Sequence, residues 1–119
     1  MMTIRELRAY FDKKADLRQI NLTLDGLREY RKSGQDSPEV NAGIITLENE
    51  SLIKAAELEA KADAVRSTLD SVEDAFCRTL AKLHYCDGLS WDEVGAMCGL
   101  SMYGAKQKAY RAMRKARLR

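Results

Sequence analysis

The last thirty residues of the chain, SWDEVGAMCGLSMYGAKQKAYRAMRKARLR, constrain its fold more than any other segment. Ser90 followed three residues later by Glu93 is the pattern of a capping box, which opens a helix. Gly99 is suited to a left-handed turn residue at the end of that short helix. Ser101 is suited to cap a second helix, which we predict to end near Arg117. The segment therefore predicts two helices joined by a tight turn.

These two predicted helices need a close crossing and a small core. Gly95 is placed where they would approach each other, since a larger side chain there would push them apart. The side chains expected in or beside this core are Val94, Leu100, Ala105, Ala109, Ala112 and Ala116, with Leu89, Trp91 and Met97 next to them. Because alanine is small, its repetition would let the last helix lie close to a third helix upstream.

Two long helices are predicted before this segment. Thr3 to Glu6 is a capping box, and apolar residues then recur at three- and four-residue steps to about Lys32. After a polar turn, Pro38 starts a second helix that runs to about Leu69 with a narrow apolar seam at coiled-coil spacing. Helices of this length joined by a short turn should pair antiparallel as a hairpin. Since a two-helix hairpin buries little surface, we expect residues 1–69 to pack on a partner, a second copy or the C-terminal domain.

A third helix is predicted between this hairpin and the C-terminal pair. Asp70 and Glu73 fit another capping box, with Asp70 as the N-cap of a helix that ends near Tyr85. Its expected inner face consists of Val72, Phe76, Leu80 and Leu83. The predicted fold is therefore all-α, with an antiparallel helical hairpin (a coiled coil) over residues 1–69 and a tri-helical unit over residues 70–119.

Charge is distributed unevenly along the chain, whose formal net charge is only +2. Residues 1–70 carry 11 basic and 13 acidic side chains, whereas residues 71–119 carry 9 and 5. From Ser101 onward there are seven basic side chains and no acidic one. Such a helix is either a solvated or partner-binding surface, or the face that meets a polyanion. Together with the short capped helix and the turn glycine, this charge favours a helix-turn-helix that binds double-stranded DNA.

The outer face of the last helix follows once its buried stripe is assigned. In a helix-turn-helix, the N-terminal residues of the second helix enter the major groove. We therefore expect Met102, Tyr103 and Gln107 to read bases, with Gln107 on an adenine edge and the other two near a thymine methyl group. The residues expected to bind phosphates, which position the protein without reading sequence, are Ser101, Lys106, Lys108, Tyr110, Arg111, Arg114 and Lys115. A packing role is an equal alternative for Tyr110.

The segment from Leu83 to Arg119 resembles region four of bacterial sigma factors, which reads the −35 promoter element. The shared features are a Gly-Leu-Ser lead, an acidic short helix, a Gly-x-Ser turn and a last helix ending in Arg-Ala-x-x-Lys. The whole layout is similar to that of small phage- and prophage-encoded transcriptional regulators with a sigma-like C-terminal domain, and RNA polymerase becomes a candidate partner. The resemblance also assigns base reading to Met102, Tyr103 and Gln107. Many relatives have Arg at the position of Met102, so a different DNA sequence is expected.

Cysteine usage, hydropathy and catalytic motifs bear on the remaining classes of protein. Cys77, Cys86 and Cys98 are odd in number and lack CxxC spacing, which favours free thiols in the reducing cytoplasm of a bacterial host. The sequence is charged from Arg5 onward, and no stretch approaches the roughly 20 apolar residues of a membrane span. His84 is the only histidine and lacks a zinc ligand set, so a structural role is expected. We expect neither an enzyme nor a cofactor, since no catalytic pair or phosphate loop stands out.

The preferred interpretation is a DNA-binding regulator of phage or prophage type, with residues 1–69 forming a homodimer or holding a partner. One rival is a phage assembly protein such as a small terminase subunit, in which the hairpin builds a ring and the last helix recognises a packaging site. Another rival is a helical module that captures a host protein and has no role on DNA. A discrete large oligomer would favour the first rival, and failure to bind any duplex at low salt would favour the second.

Overall fold

The computed structural model describes residues 1–118, and every regular element among them is an α-helix. The five helices are α1 (Ile4–Lys32), α2 (Pro38–Asp70), α3 (Ala75–Tyr85), α4 (Trp91–Cys98) and α5 (Met102–Lys115). None of these helices combines the length and the apolar character that crossing a bilayer requires. The predicted all-α fold class is confirmed.

The starts of α1 and α2 follow the predicted capping signals. The Glu6 N–H donates to the Thr3 hydroxyl at 3.1 Å, and the Thr3 N–H donates to the Glu6 carboxylate at 3.1 Å. The Val40 N–H donates to the Ser37 hydroxyl at 3.1 Å, and Pro38 is the first helical residue. These bonds satisfy backbone donors that have no acceptor within the helix.

The chain forms two compact units, and they divide it elsewhere than at the predicted boundary after residue 69. One unit comprises residues 13–60. The other comprises residues 1–12 together with the chain from Lys61 onward, so it contains the first turns of α1 and the last turns of α2. The apolar seam of α2 continues through both units without a break, so the pattern of that helix does not signal the division.

In the unit of residues 13–60, α1 and α2 contact each other at several levels. The polar contacts are Lys13 with Glu57, Ser51 with Asn21 at 2.8 Å, and Arg28 with Glu48 at 3.0 Å. Residue numbers fall on α2 as they rise on α1, which is the order of two antiparallel helices. Leu24, Ile44 and Leu58 are the buried apolar side chains. The apolar seam predicted along α2 passes through Ala55, between Ser51 and Leu58, but Ala55 is exposed.

The second unit has a fully buried core to which all five helices contribute. Its largest fully buried side chains are Leu7, Val65, Leu69, Val72, Leu80, Tyr85, Val94 and Met113. α5 packs against α4 and α3, and α3 also packs against α4. The Met2 N–H donates to the Thr68 hydroxyl at 3.0 Å, a buried contact that links the chain start to α2.

The start of α3 differs from the prediction. Its N-cap is Asp74 rather than Asp70, and the Asp74 carboxylate accepts from the Cys77 N–H at 2.8 Å. Asp70 instead ends α2, where the Lys82 ammonium donates to its carboxylate. Phe76, which was predicted on the inner face, is 46% exposed rather than buried. The buried residues of α3 are Leu80, Ala81, His84 and Tyr85.

α4 and α5 begin as predicted. The capping box of Ser90 and Glu93, the left-handed Gly99 with φ of 71° and the Ser101 N-cap are all present. A Cβ on Gly95 would lie 2.5 Å from the Leu100 carbonyl oxygen, so this close approach requires glycine. Met97 was predicted beside the core but is 66% exposed, because the buried face of α4 is limited to Val94 and Gly95. α5 ends at Lys115 rather than near Arg117.

Candidate nucleic-acid interface

α5 has one buried face and one basic face. Ala105, Ala109 and Met113 recur at four-residue steps and are fully buried. Ala112 and Ala116, which were predicted to share that stripe, are only half-buried. The helix contains no acidic residue, and within residues 1–118 none of its cations forms an ion pair. Among the residues that the structure describes, its positive charge is therefore not neutralised by ion pairing.

The three predicted base-reading residues lie in the first two turns of α5. Met102 is 55% exposed and Tyr103 is 69% exposed, whereas Gln107 is half-buried one turn further along. The Ser101 hydroxyl accepts from the Gly104 N–H at 2.9 Å, and this cap defines the start of the helix. The structure thus groups the three side chains at one accessible helix end.

The predicted phosphate-binding residues fall on more than one side of α5. Those that are exposed are Ser101, Lys106, Lys108, Arg111, Arg114 and Lys115, whereas Tyr110 is half-buried. The Lys106 ammonium lies 5.8 Å from the centroid of the Tyr110 ring. Arg114 donates from Nε to the Tyr110 carbonyl at 3.4 Å, so its side chain lies back along the helix.

The side of α5 next to α3 also contains acidic groups. The Asp74 carboxylate accepts the Cys77 N–H, and this bond, aided by the charge of Lys108, holds the pKa of Asp74 below its ordinary value. Glu73 and Asp74 line a surface pocket together with Lys115. Carboxylates that stay ionised beside these two lysines weaken their attraction for a phosphate.

The side of α5 next to α1 holds a cation that was absent from the predicted site. The guanidinium of Arg8 donates to the Tyr110 hydroxyl at 3.5 Å across 102 positions of sequence. Burial acts to raise the pKa of Tyr110, but hydrogen bonds from Arg8 and Tyr85 lower it overall. Tyr110 is therefore already connected to α1 and α3. No local sequence signal identifies Arg8, because only the packing of α1 brings it to α5.

An aromatic cluster supports this side of α5. The His84 ring stacks on Phe11 and on Trp91, with ring centroids 3.9 Å apart in each pair. The Nδ1 of His84 lies 2.7 Å from the Leu89 carbonyl oxygen, which can only accept, so this nitrogen is assigned the proton. Burial lowers the pKa of His84 to about 4, and the ring is neutral at pH 7. The centroid of the Tyr110 ring lies 6.2 Å from that of the Trp91 ring, so Tyr110 also belongs to the cluster.

The cysteines are dispersed. Cys77, Cys86 and Cys98 are half-buried, and no disulfide joins any two of them. Throughout residues 1–118, no group of three His, Cys, Asp or Glu side chains is arranged to hold a metal ion.

Comparisons with protein-family models, with curated proteins and with solved structures find no match to this chain.

Proposed function

We propose that this protein is a sequence-specific DNA-binding transcriptional regulator of the phage or prophage type. In this proposal α4 and α5 act as a helix-turn-helix, and the N-terminal end of α5 enters the major groove. One observation carries it. Exposed Met102 and Tyr103 share α5 with five cations that form no ion pair within residues 1–118. Like charges on one helix repel each other, and a polyanionic backbone relieves that repulsion.

The side chains of α5 divide into two roles in this proposal. Gln107 hydrogen-bonds to an adenine edge, and Met102 and Tyr103 contact thymine methyl groups. The exposed cations contact phosphates and position the helix. Lys106 is the stronger candidate than Lys108, because an ionised Asp74 lies beside Lys108.

We also propose that residues 1–69 form a helical hairpin that pairs with a second copy. Four large apolar side chains of the unit 13–60 are 59–70% exposed, namely Leu22, Ile45, Leu52 and Ile53. α1 carries eight basic and five acidic side chains, whereas α2 carries three and seven. Their opposite net charges favour α1 of one copy beside α2 of the other, which would cover the apolar residues. Such a dimer would bind a two-part operator.

The same exposed apolar residues also favour a second candidate function. A phage assembly protein, such as a small terminase subunit, would use them to close a ring, and α5 would then recognise a packaging site. RNA polymerase is a further candidate partner, on the resemblance to sigma region four. Sedimentation separates a dimer from a ring. A protein that binds no duplex at low salt would instead be a helical module that holds a host protein.

The proposal is tested by selecting bound sequences from a random pool of duplexes with the purified protein, at two salt concentrations. We expect a sharp motif that persists at the higher salt. The double variant Lys106→Ala, Arg111→Ala should weaken binding to the selected duplex by roughly tenfold or more and lower its salt dependence. The control variant Lys32→Ala, Arg66→Ala also removes two exposed cations and should bind as the wild type does. Unchanged affinity in the first variant would contradict the proposal.

A further inference from the structure

Arg8 and Tyr110 bring the start of α1 to the basic face of α5. The guanidinium of Arg8 donates to the Tyr110 hydroxyl at 3.5 Å, which is long for a hydrogen bond. Arg8 is exposed and forms no ion pair within residues 1–118. A guanidinium has five N–H donors, so this single contact leaves most of them available to a ligand.

The Tyr110 hydroxyl contacts two other polar groups. Arg8 donates to it at 3.5 Å, and the hydroxyl of Tyr85, a fully buried side chain, also interacts with it. A phenolic hydroxyl has one donor and two acceptor sites, so Tyr110 can donate to an external acceptor while it accepts from Arg8.

A second cation completes the cluster. The ammonium of Lys106 lies 5.8 Å from the centroid of the Tyr110 ring, and Lys106 is exposed. The Tyr110 side chain thus has a guanidinium at its hydroxyl and an ammonium near its ring. All three are donors, and two carry full positive charge, which is the chemistry that binds a phosphate group.

We propose that Arg8, Tyr110 and Lys106 form a phosphate-binding site through which α1 contacts the DNA backbone beside the groove that α5 enters. The inference rests on the proposed DNA-binding function and adds α1 to the binding surface. The phosphate belongs to a DNA strand because Lys106 of the cluster is also one of the exposed cations of α5, so this site and α5 can contact neighbouring phosphates of one strand. The contact carries no base information, and it orients the first turns of α1 on the duplex.

The experiment measures binding by fluorescence anisotropy over a series of salt concentrations, with the selected duplex and with an unrelated one. Arg8→Ala should weaken both complexes by a similar factor, roughly three- to tenfold, and reduce the salt slope by about 0.9. Arg8→Lys keeps the charge and should keep the slope. Tyr110→Phe removes a donor but no charge, so affinity should fall while the slope stays the same. Arg66→Ala is the matched control, since it removes an exposed arginine paired with Asp63 and should change neither quantity.

A second variant at Arg8 separates loss of charge from loss of structure. Arg8→Gln retains a donor for Tyr110 without the charge and should show the same loss of slope as Arg8→Ala. Wild-type slopes in both variants, with a wild-type motif, would overturn this inference alone. Absence of any duplex binding by the wild type would overturn the proposed function and this inference together. Saturable binding of inorganic phosphate that Arg8→Ala abolishes, with duplex affinity unchanged, would assign the site to a free anion and overturn the DNA assignment.

Discussion

The two compact units use the same two long helices in different ways. In residues 13–60, polar contacts between partly exposed side chains join α1 and α2, as in Arg28 with Glu48, which are 41% and 45% exposed. Surface ion pairs of this kind contribute about 0–1 kcal/mol each. In the other unit, side chains from five helices form a fully buried core around Leu7 and Tyr85. An amphipathic helix becomes part of a stable core only where further elements cover its apolar face.

This difference suits the two units to different tasks. The buried core holds its helices in fixed positions, which the proposed base reading by α5 would require of its side chains. The unit 13–60 leaves Leu52 and Ile53 at 70% and 60% exposure, so it is suited to association. Four changes of sequence or pH test this difference between the two units.

The largest effect is expected from Gly95→Ala. The added Cβ would lie 2.5 Å from the Leu100 carbonyl oxygen and 3.0 Å from that of Ser101, so backbone must move. We expect a loss of about 3 kcal/mol in the free energy of unfolding. Gly26→Ala is the control in the other unit, because its Cβ meets nothing within 4 Å, and it should stabilise α1 by about 0.5–1 kcal/mol. Urea unfolding followed by the fluorescence of Trp91 measures both. Equal stabilities of the two variants would contradict the contrast.

Acid should destabilise the cored unit through His84. Burial lowers the pKa of this ring to about 4 in the folded state from 6.5, so the unfolded chain binds the proton more readily. The stabilisation from His84 is complete above about pH 6.5 and is lost as pH falls toward 4. Between pH 7 and pH 5 the free energy of unfolding should drop by about 2 kcal/mol.

A variant separates this effect from other titrations. His84→Phe keeps a ring between Phe11 and Trp91 but cannot take up a proton. It should be less stable at pH 7, because the bond to the Leu89 carbonyl is lost, yet its stability should change less between pH 7 and pH 5. Parallel pH curves for the variant and the wild type in urea unfolding would show that another group is responsible.

The exposed apolar residues of α2 should control association. The double variant Leu52→Gln, Ile53→Gln should weaken the dimer at least about tenfold and change the stability of the monomer by less than about 0.5 kcal/mol. Sedimentation equilibrium over a range of protein concentrations measures the first quantity. Met97→Gln is the control on the cored unit, since Met97 is 66% exposed there. Identical dissociation constants for the double variant and the wild type would exclude this surface as the dimer contact.

The smallest effect is expected at the end of α5. Arg117 has φ of 64°, a left-handed conformation that is unfavourable for a residue with a Cβ. The Leu118 N–H donates to the Met113 carbonyl at 3.0 Å, and the Leu118 side chain is 2% exposed. Arg117→Gly should therefore raise the free energy of unfolding by about 0.5–1 kcal/mol, whereas Arg117→Ala should not. A lower melting temperature for Arg117→Gly than for Arg117→Ala would contradict this account.

The start of a helix could be predicted from the sequence where the capping residues are close together and only one residue could be the N-cap. Ser90 with Glu93 and Ser101 with Gly104 form their bonds within four residues, so the rest of the molecule has little influence on them. The start of α3 was predicted wrongly, because Asp70 also has a partner, Lys82, twelve positions away. When two aspartates can each cap the helix, tertiary packing decides which carboxylate remains available to do so.

The candidate site shows the same limit. The cations and the apolar start of α5 follow from the helical period, which puts Ala105 and Ala109 inside and Lys106 outside. The acids beside Lys108 were not predicted, because their position depends on where α3 begins. Arg8 was not predicted either, because no pattern relates a residue on α1 to Tyr110.

The all-α class, the caps of α1, α2, α4 and α5, and the absence of acidic residues from α5 all follow from the amino-acid sequence. These features depend on groups within one or two helical turns, where hydrogen bonds and periodicity act without distant partners. The division into two units, the stacking of His84 between rings from α1 and α4, and the contact of Arg8 with Tyr110 depend instead on tertiary packing. Each of these joins residues far apart in the chain, and a contact of that kind forms only when burial of a common core outweighs the entropy of ordering the chain between them.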